Sequence, residues 1–170
     1  MTDSLRIVIP GEPHAQGRAR FRAWRAKDGR QGVTAYDPAE SRDWKATAQQ
    51  HMIKALFDRC REPGGSAPIE QPSVMEGPIA LNVVAFFSCP KSRHLKKGRR
   101  PECWHTKKPD GDNVLKAVKD AAKGVLWGDD SQVCVASITK LVAAQGEPPR
   151  LEILVRELLD RRKPLEVTHG

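Results

Sequence analysis

Four aspartates and one lysine fall in two short stretches in the second half of the chain. Asp110, Asp112 and Lys116 lie in the first stretch, and Asp129-Asp130 lie in the second, one predicted helix later. Carboxylates repel one another and raise each other's pKa, so gathering them is costly unless a cation neutralises them. Mg²⁺ is a hard cation that prefers oxygen ligands. Since the chain is otherwise basic, these residues predict metal-dependent phosphodiester chemistry on a nucleic acid.

Each of these residues also has a purely structural interpretation. Asp110 and Asp112 are two positions apart and can share one cation, but Asp112 can equally cap a helix and Asp110 form a turn. Lys116 can pair with Asp112 across one helical turn, or its ammonium can stabilise charge on a scissile phosphate. The second acidic pair, Asp129-Asp130, favours a metal site.

The composition indicates an anionic partner. The chain has 170 residues and a formal net charge of +8, which suits a single domain that binds nucleic acid. Its cations concentrate in an early arginine-rich stretch and in the long stretch before Asp110. We predict that the following residues contact DNA: Arg18, Arg20, Arg22, Arg25, Lys91, Arg93, Lys96, Lys97, Arg99, Arg100, Lys107 and Lys108.

The cysteines and the apolar segments indicate the compartment. The four cysteines form no C-x-x-C pair, and Cys103-Trp104-His105 lacks the second half of a zinc site. Neither an apolar leader nor a run of membrane-spanning length is visible. We therefore expect reduced thiols in a cytoplasmic protein that makes no contact with a membrane.

Hydrophobic periodicity predicts an α/β (α+β) fold with a mixed sheet and two main helices. Strands are expected near residues 5–9, 18–25, 33–36, 79–87, 133–142 and 151–155. The first helix should begin after a capping Asp37 and run to about Phe57. The second should span 112–123 and end at Gly124. We expect one compact domain over residues 1–157 and a polar tail over 158–170, with loops at 59–77 and 88–104.

The two acidic stretches resemble the RusA family of Holliday junction resolvases, which is common in phages and prophages. The hallmark of that family is a D-x-D-N-x-x-K helix start followed by a D-D-[SA]-Q turn. Residues 110–116 and 129–132 match these two motifs. The preceding residues 105–109 also look like the phage-type branch. In element order the resemblance covers about residues 5–157, although only the block at 105–133 is specific.

The resemblance implies a homodimer that cuts four-way DNA junctions by paired nicking, in DNA recombination and repair. It implies Mg²⁺ as the cofactor, with Mn²⁺ as a substitute. The metal-site carboxylates carry over to Asp110, Asp112 and Asp130, with Asp129 as a further candidate ligand, and the essential lysine carries over to Lys116. The loops look longer than in compact members of the family, so other branched structures could also be substrates.

Two other functions remain open at this point. The chain could be a non-catalytic, basic DNA-binding accessory protein whose acidic residues are structural. It could also be a restriction-type nuclease, which Pro109-Asp110 suggests, although no Glu-x-Lys follows at a convincing distance. For the leading hypothesis we expect Asp110, Asp112 and Asp130 to converge on one cation with Lys116 close by. Strands Ile79–Phe87 and Val133–Val142 are candidates for the dimer interface.

Overall fold

A computed structural model describes residues 4–17, 20–60 and 74–158 of the chain. It has a five-stranded mixed sheet, a separate two-stranded hairpin and two α-helices, which confirms the predicted fold class. The strands are β1 (Ser4–Pro10), β2 (Arg20–Arg25), β3 (Gln31–Tyr36), β4 (Ile79–Phe87), β5 (Cys103–Trp104), β6 (Val133–Val142) and β7 (Arg150–Glu157). The helices are α1 (Ala39–Cys60) and α2 (Gly111–Ala122).

The main sheet has the strand order β1-β7-β4-β6-β5. Strands β4 and β6 are parallel, and the other neighbours are antiparallel. The alternating burial of β1, with Leu5, Ile7 and Ile9 buried, shows that one face of the sheet meets the core. Because β4 and β6 are parallel, the chain must cross over between them, and α2 is part of that crossover.

Each helix buries an apolar face in the core. Ala48, Met52 and Leu56 of α1 are buried, as are Val114 and Val118 of α2. The bounds differ slightly from the prediction. Helix α1 continues to Cys60, and α2 begins at Gly111 with Asp110 as its N-cap. The alternative interpretation, in which Asp112 caps this helix, therefore does not hold. Helix α2 ends at Ala122 with Lys123 as its C-cap, one residue before the predicted Gly124. Gly124 has a φ of 77°, a conformation that glycine adopts without strain.

Strand β6 has an open edge. One of its edges pairs with β4 along the whole strand, whereas β5 covers the other edge only at Leu141 and Val142. From residue 133 to 139 no strand within the described ranges pairs with this outer edge, and Cys134 to Ser137 are exposed. Unpaired backbone groups along an edge are a template for pairing with another strand.

Some expectations concern residues outside the described ranges. They are the contact assigned to Arg18, most of the loop at 59–77, and nearly all of the tail at 158–170. The short strand β5 has no counterpart in the sequence-based prediction. Among the described cysteines, Cys89, Cys103 and Cys134 are free thiols, as expected. None of the described helices is both long enough and apolar enough to cross a membrane.

Candidate active site

Asp110 and Asp112 stand at the N-terminus of α2 with their carboxylates exposed. Asp110 has an extended conformation, with φ −71° and ψ 146°, and its side chain makes no capping hydrogen bond. Neither side chain has a hydrogen-bond or ion-pair partner among the described residues. The positive end of the helix dipole favours negative charge at this position. Both carboxylates are therefore available to a cation.

The segment before Asp110 is held against β6 by a residue that the sequence analysis did not single out. The ammonium Nζ of Lys140 donates hydrogen bonds to the carbonyl oxygens of Lys107 at 2.8 Å and Pro109 at 2.6 Å. The backbone N–H of His105 in turn donates to the carbonyl of Lys140 at 3.0 Å. Lys140 thereby fixes the chain immediately before the first carboxylate.

Gly111 lets the start of α2 lie close to the same strand. A Cβ at this position would stand 3.2 Å from Cγ2 of Ile138, which is closer than ordinary van der Waals contact. A larger residue between the two aspartates would require Ile138 to shift by a few tenths of an ångström, so glycine favours this close packing independently of any role in chemistry.

His105 anchors the other end of this segment. Its ring stacks on Phe87 with the ring centroids 4.0 Å apart and the planes 18° from parallel. The Nδ1 atom is buried and has no hydrogen-bond partner within the described ranges. Burial, followed by the nearby charge of Lys140, lowers the pKa of the imidazole below its usual value of 6.5. The ring is therefore neutral at pH 7.

Lys116 lies one helical turn after Asp112 on the exposed side of α2. In the part of the chain that the structure describes, it makes no ion pair with Asp112 or with any other acid. The simple pairing across one turn is thus not what holds this lysine. Its ammonium is free to meet a phosphate near the carboxylates.

The second acidic pair begins a short turn before β6. Asp129 accepts a hydrogen bond from Nζ of Lys123 at 2.5 Å and another from the N–H of Ser131 at 3.0 Å. The hydrogen bond from Lys123 is the main reason why the pKa of Asp129 lies well below its usual range. This carboxylate is engaged in capping and pairing, so a cation would have to displace Lys123 to bind it.

Asp130 has a different environment. Its Oδ1 accepts a hydrogen bond from the indole N–H of Trp127 at 3.0 Å, and Trp127 is fully buried. Trp127 therefore belongs to the core. The side-chain oxygen of Gln132 binds the N–H groups of Gly128 and Asp129 at 2.8 and 2.9 Å. The turn is therefore rigid, and it presents Asp130 with one carboxylate oxygen still available.

The two acidic pairs do not meet within one chain. Asp110 precedes α2, whereas Asp129 is bound to Lys123 just after it. Twelve helical residues separate them, which at 1.5 Å per residue is about 18 Å along the helix axis. The described residues contain no group of three or more His, Cys, Asp or Glu side chains close enough to hold a metal ion. Among the described residues of one chain, helix α2 keeps the two motifs apart, so the expected convergence of Asp110, Asp112 and Asp130 on one cation stays a prediction.

The predicted DNA contacts fall into two groups. Arg20, Arg22 and Arg25 lie on the exposed hairpin, and the remaining described cations lie on the loop between β4 and α2. In that loop Arg99 pairs with Glu147 at 3.1 Å, and Nε of Arg100 donates to the carbonyl of Arg93 at 2.7 Å. These two arginines help to order the loop. The others are Lys91, Arg93, Lys96, Lys97, Lys107 and Lys108, and all of them are exposed.

Gln145 is another residue that the sequence analysis missed. Its side chain accepts a hydrogen bond from the N–H of Leu95 at 2.8 Å and donates to the Leu95 carbonyl at 3.3 Å. Its backbone N–H donates to the carbonyl of Arg100 at 2.9 Å. A lone glutamine after a strand carries no local signal of this role, because its partners lie about 50 residues earlier.

Comparison with known proteins identifies a family and a relative. The chain matches the family described as "Endodeoxyribonuclease RusA" over residues 10–156, which include all four acidic residues and Lys116. It is also 30% identical over 161 residues to "Uncharacterized protein YqaN" of Bacillus subtilis (strain 168), covering 92% of this chain and 98% of that protein.

Proposed function

The chain belongs to the RusA family of endodeoxyribonucleases, and on this premise we propose that it resolves four-way DNA junctions by Mg²⁺-dependent paired nicking, in DNA recombination and repair. The observation that carries the proposal is the start of α2. There Asp110 and Asp112 have no partner among the described side chains, and Lys116 follows one turn later. A binding-only accessory protein is not favoured, because the family is one of nucleases.

The chemistry assigns a role to each of these side chains. Asp110 and Asp112 supply the carboxylate oxygens that Mg²⁺ or Mn²⁺ prefers, and Asp130 supplies the third carboxylate. The cation would activate a water molecule and stabilise the leaving oxygen. Lys116 stabilises the charge that develops on the phosphate. Asp129 is not a ligand in this proposal, because it is already bound to Lys123.

The separation of the two acidic pairs leads us to propose a site shared between two copies of the chain. The outer edge of β6 lacks a strand partner from residue 133 to 139 within the described ranges. Antiparallel pairing of two β6 strands about a twofold axis near Val135 would bring Asp130 of one copy towards the partner's Lys140, which lies beside its Asp110. Such a homodimer has two complete sites, as two coordinated nicks require.

Mixing two inactive variants tests the shared site. A dimer of one Asp110→Asn chain and one Asp130→Asn chain has one doubly altered site and one intact site if the carboxylates come from different copies. Such a mixture, refolded or co-expressed, should then nick junction DNA, although each variant alone is inactive. Lack of activity in a mixture proven to contain heterodimers would show that each site belongs to one chain.

Cleavage of synthetic DNA tests the proposed function itself. A four-way junction and a linear duplex with the sequence of its arms are incubated with the protein and Mg²⁺. We expect symmetric cuts in the junction, none in the duplex, and none after EDTA. The matched control is Asp110→Asn, which should not cut but should bind junction DNA as well or more tightly, because a negative charge beside phosphate is removed. No cutting of any branched DNA would overturn the proposal.

A further inference from the structure

The β2–β3 hairpin stands away from the rest of the fold. It forms its own two-stranded sheet, and every residue of its two strands except Gly32 is exposed. The chain just before β2 is fixed to the start of α2, because the N–H of Gln16 donates to the carbonyl of Asn113 at 2.9 Å. The hairpin, which we call the arm, therefore extends from a point beside the Asp110–Asp112 pair.

Strand pairing gives the arm two different faces. Arg20, Arg22 and Trp24 pair with Tyr36, Thr34 and Gly32, so these six residues share one face. Phe21, Ala23 and Arg25 lie on the opposite face with Ala35, Val33 and Gln31. Each face thus carries at least one aromatic ring and at least one arginine.

The rings of the arm are unusually open to solvent. Phe21 is 72% exposed, Trp24 is 46% exposed and Tyr36 is 44% exposed. At the tip of the arm the carboxylate of Asp28 is neutralised by Nε of Arg30 at 2.7 Å. The arm therefore presents rings and positive charge, and its acid at the tip is already paired.

This combination fits nucleic acid better than an apolar protein surface. Burying the arginines against hydrocarbon would cost free energy, because each guanidinium would lose its hydration. On DNA the arginines meet phosphates, while the rings stack on base faces. In an intact duplex the neighbouring base pairs cover those faces. Only unstacked bases, as in a single strand or at a branch point, offer them.

We propose that the arm is a base-stacking site, in which Phe21 on one face and Trp24 and Tyr36 on the other stack on unstacked bases of branched or single-stranded DNA. For a branched substrate this rests on the proposed function. Single-strand binding by the arm does not, because it requires no cleavage. The arm then adds selectivity for a branch point to the phosphate contacts of its arginines.

Ring deletion without loss of apolar surface is the sharpest test. Phe21→Leu and Tyr36→Leu keep a bulky apolar side chain but lose the ring. Stacking is worth about 1–3 kcal/mol per base, so each change should weaken binding to an oligo(dT) strand and to an uncut junction by roughly 5-fold or more. Affinity for linear duplex should change less than about 2-fold. The variant Phe21→Trp, which keeps an aromatic ring at this position, should bind single strands as the native chain does.

The arm offers a matched control. Val33 lies on the same face as Phe21 and is 67% exposed but has no ring, so Val33→Ala should leave all affinities unchanged. Trp24 is not used as the main probe, because its ring lies against Gly32 and its loss would also loosen the hairpin. Binding is measured by fluorescence anisotropy in EDTA, so that no strand is cut.

Three results would overturn the inference. One is native affinity of Phe21→Leu and Tyr36→Leu for single strands, and another is an equal loss on duplex, which would indicate a general effect on the arm. The third is a change in the molecular mass of these two variants, measured by light scattering, together with unchanged DNA affinity. That result would make the apolar face of the arm a protein contact. Ring-dependent single-strand binding by a chain that never cuts junctions would instead refute only the proposed nuclease function.

Discussion

Replacement of Lys140 by methionine tests how the first carboxylate is positioned. Methionine keeps the apolar stem but removes the ammonium that holds the carbonyls of Lys107 and Pro109 at 2.8 and 2.6 Å. The backbone contact between His105 and residue 140 is unaffected by the change, because it involves only main-chain atoms. The perturbation is therefore confined to the few residues before Asp110.

The expected effect follows from these two hydrogen bonds. A hydrogen bond to a charged group contributes about 1.5–3 kcal/mol, and the values here lie at the low end because both carbonyls can turn to water. A loss of about 2–4 kcal/mol would make the segment before Asp110 locally mobile. Displacement of a catalytic group by about 1 Å can lower the rate about 100-fold. We expect single-turnover cleavage to fall by about 10- to 100-fold, with junction affinity changed by less than about 3-fold.

The assay compares Lys140→Met with Lys45→Met, which removes an exposed lysine of α1 and so controls for the lost charge. Single-turnover rates with saturating protein separate cleavage from binding. Hydrogen exchange should also show faster exchange for the N–H groups around Lys107 than in the native chain. Native cleavage by Lys140→Met, or an equal loss in Lys45→Met, would refute the positioning role.

Three further changes have distinct expected results. Lys116→Ala should reduce cleavage far more than DNA binding, because one charge among many cations adds little affinity but acts directly on the reacting phosphate. Equal losses of cleavage and of binding would make Lys116 an ordinary phosphate contact. DNA affinity should fall steeply with salt: the logarithm of the association constant should fall with the logarithm of the salt concentration with a slope of about −0.9 per phosphate contact. Replacing Arg20, Arg22 and Arg25 of the arm by glutamine should flatten that slope. An unchanged slope would exclude these three arginines from phosphate contacts. Because the pKa of His105 is lower in the folded chain, the unfolded chain binds a proton at this residue more readily than the folded chain does. The contribution of His105 to the stability of the fold is therefore complete above pH 6.5 and is lost as the pH falls through the pKa of the folded state. His105→Phe keeps a ring beside Phe87 and should show a smaller drop in Tm between pH 7.5 and 5.5 than the native chain; an identical drop would remove His105 from the acid response.

Local patterns in the sequence were sufficient for most of the elements. The alternation in β1 and the apolar stripe of α2, including Val114 and Val118, identify their buried faces because burial follows the period of the backbone. The D-x-D motif likewise predicts carboxylates at a helix start. The distance between the two acidic pairs also follows from the predicted length of α2, although the resemblance to the family led us to expect that their carboxylates meet.

Contacts between distant strands could not be read from local patterns. Lys140 follows Asp110 by 30 positions within a strand and has no spacing that marks it as a partner of Lys107 and Pro109. Gln145 orders the basic loop for the same reason, through contacts about 50 residues away in the chain. Which edge of β6 is open depends on the pairing of β4 and β5, which is a property of the whole sheet. The separation of the helix ends and the open edge together suggest a shared site, which neither motif suggests alone.

The most direct test of the central claim is cleavage of a supercoiled plasmid that extrudes a cruciform. A single nick relaxes the plasmid and removes the junction, so only two coordinated cuts by one bound dimer give linear product. We predict that the native chain converts the plasmid mainly to the linear form in Mg²⁺, with cuts at symmetric positions across the cruciform. A product consisting only of nicked circles, or a plasmid left intact under conditions where the protein is bound, would contradict the assignment of the chain as a junction-resolving dimer.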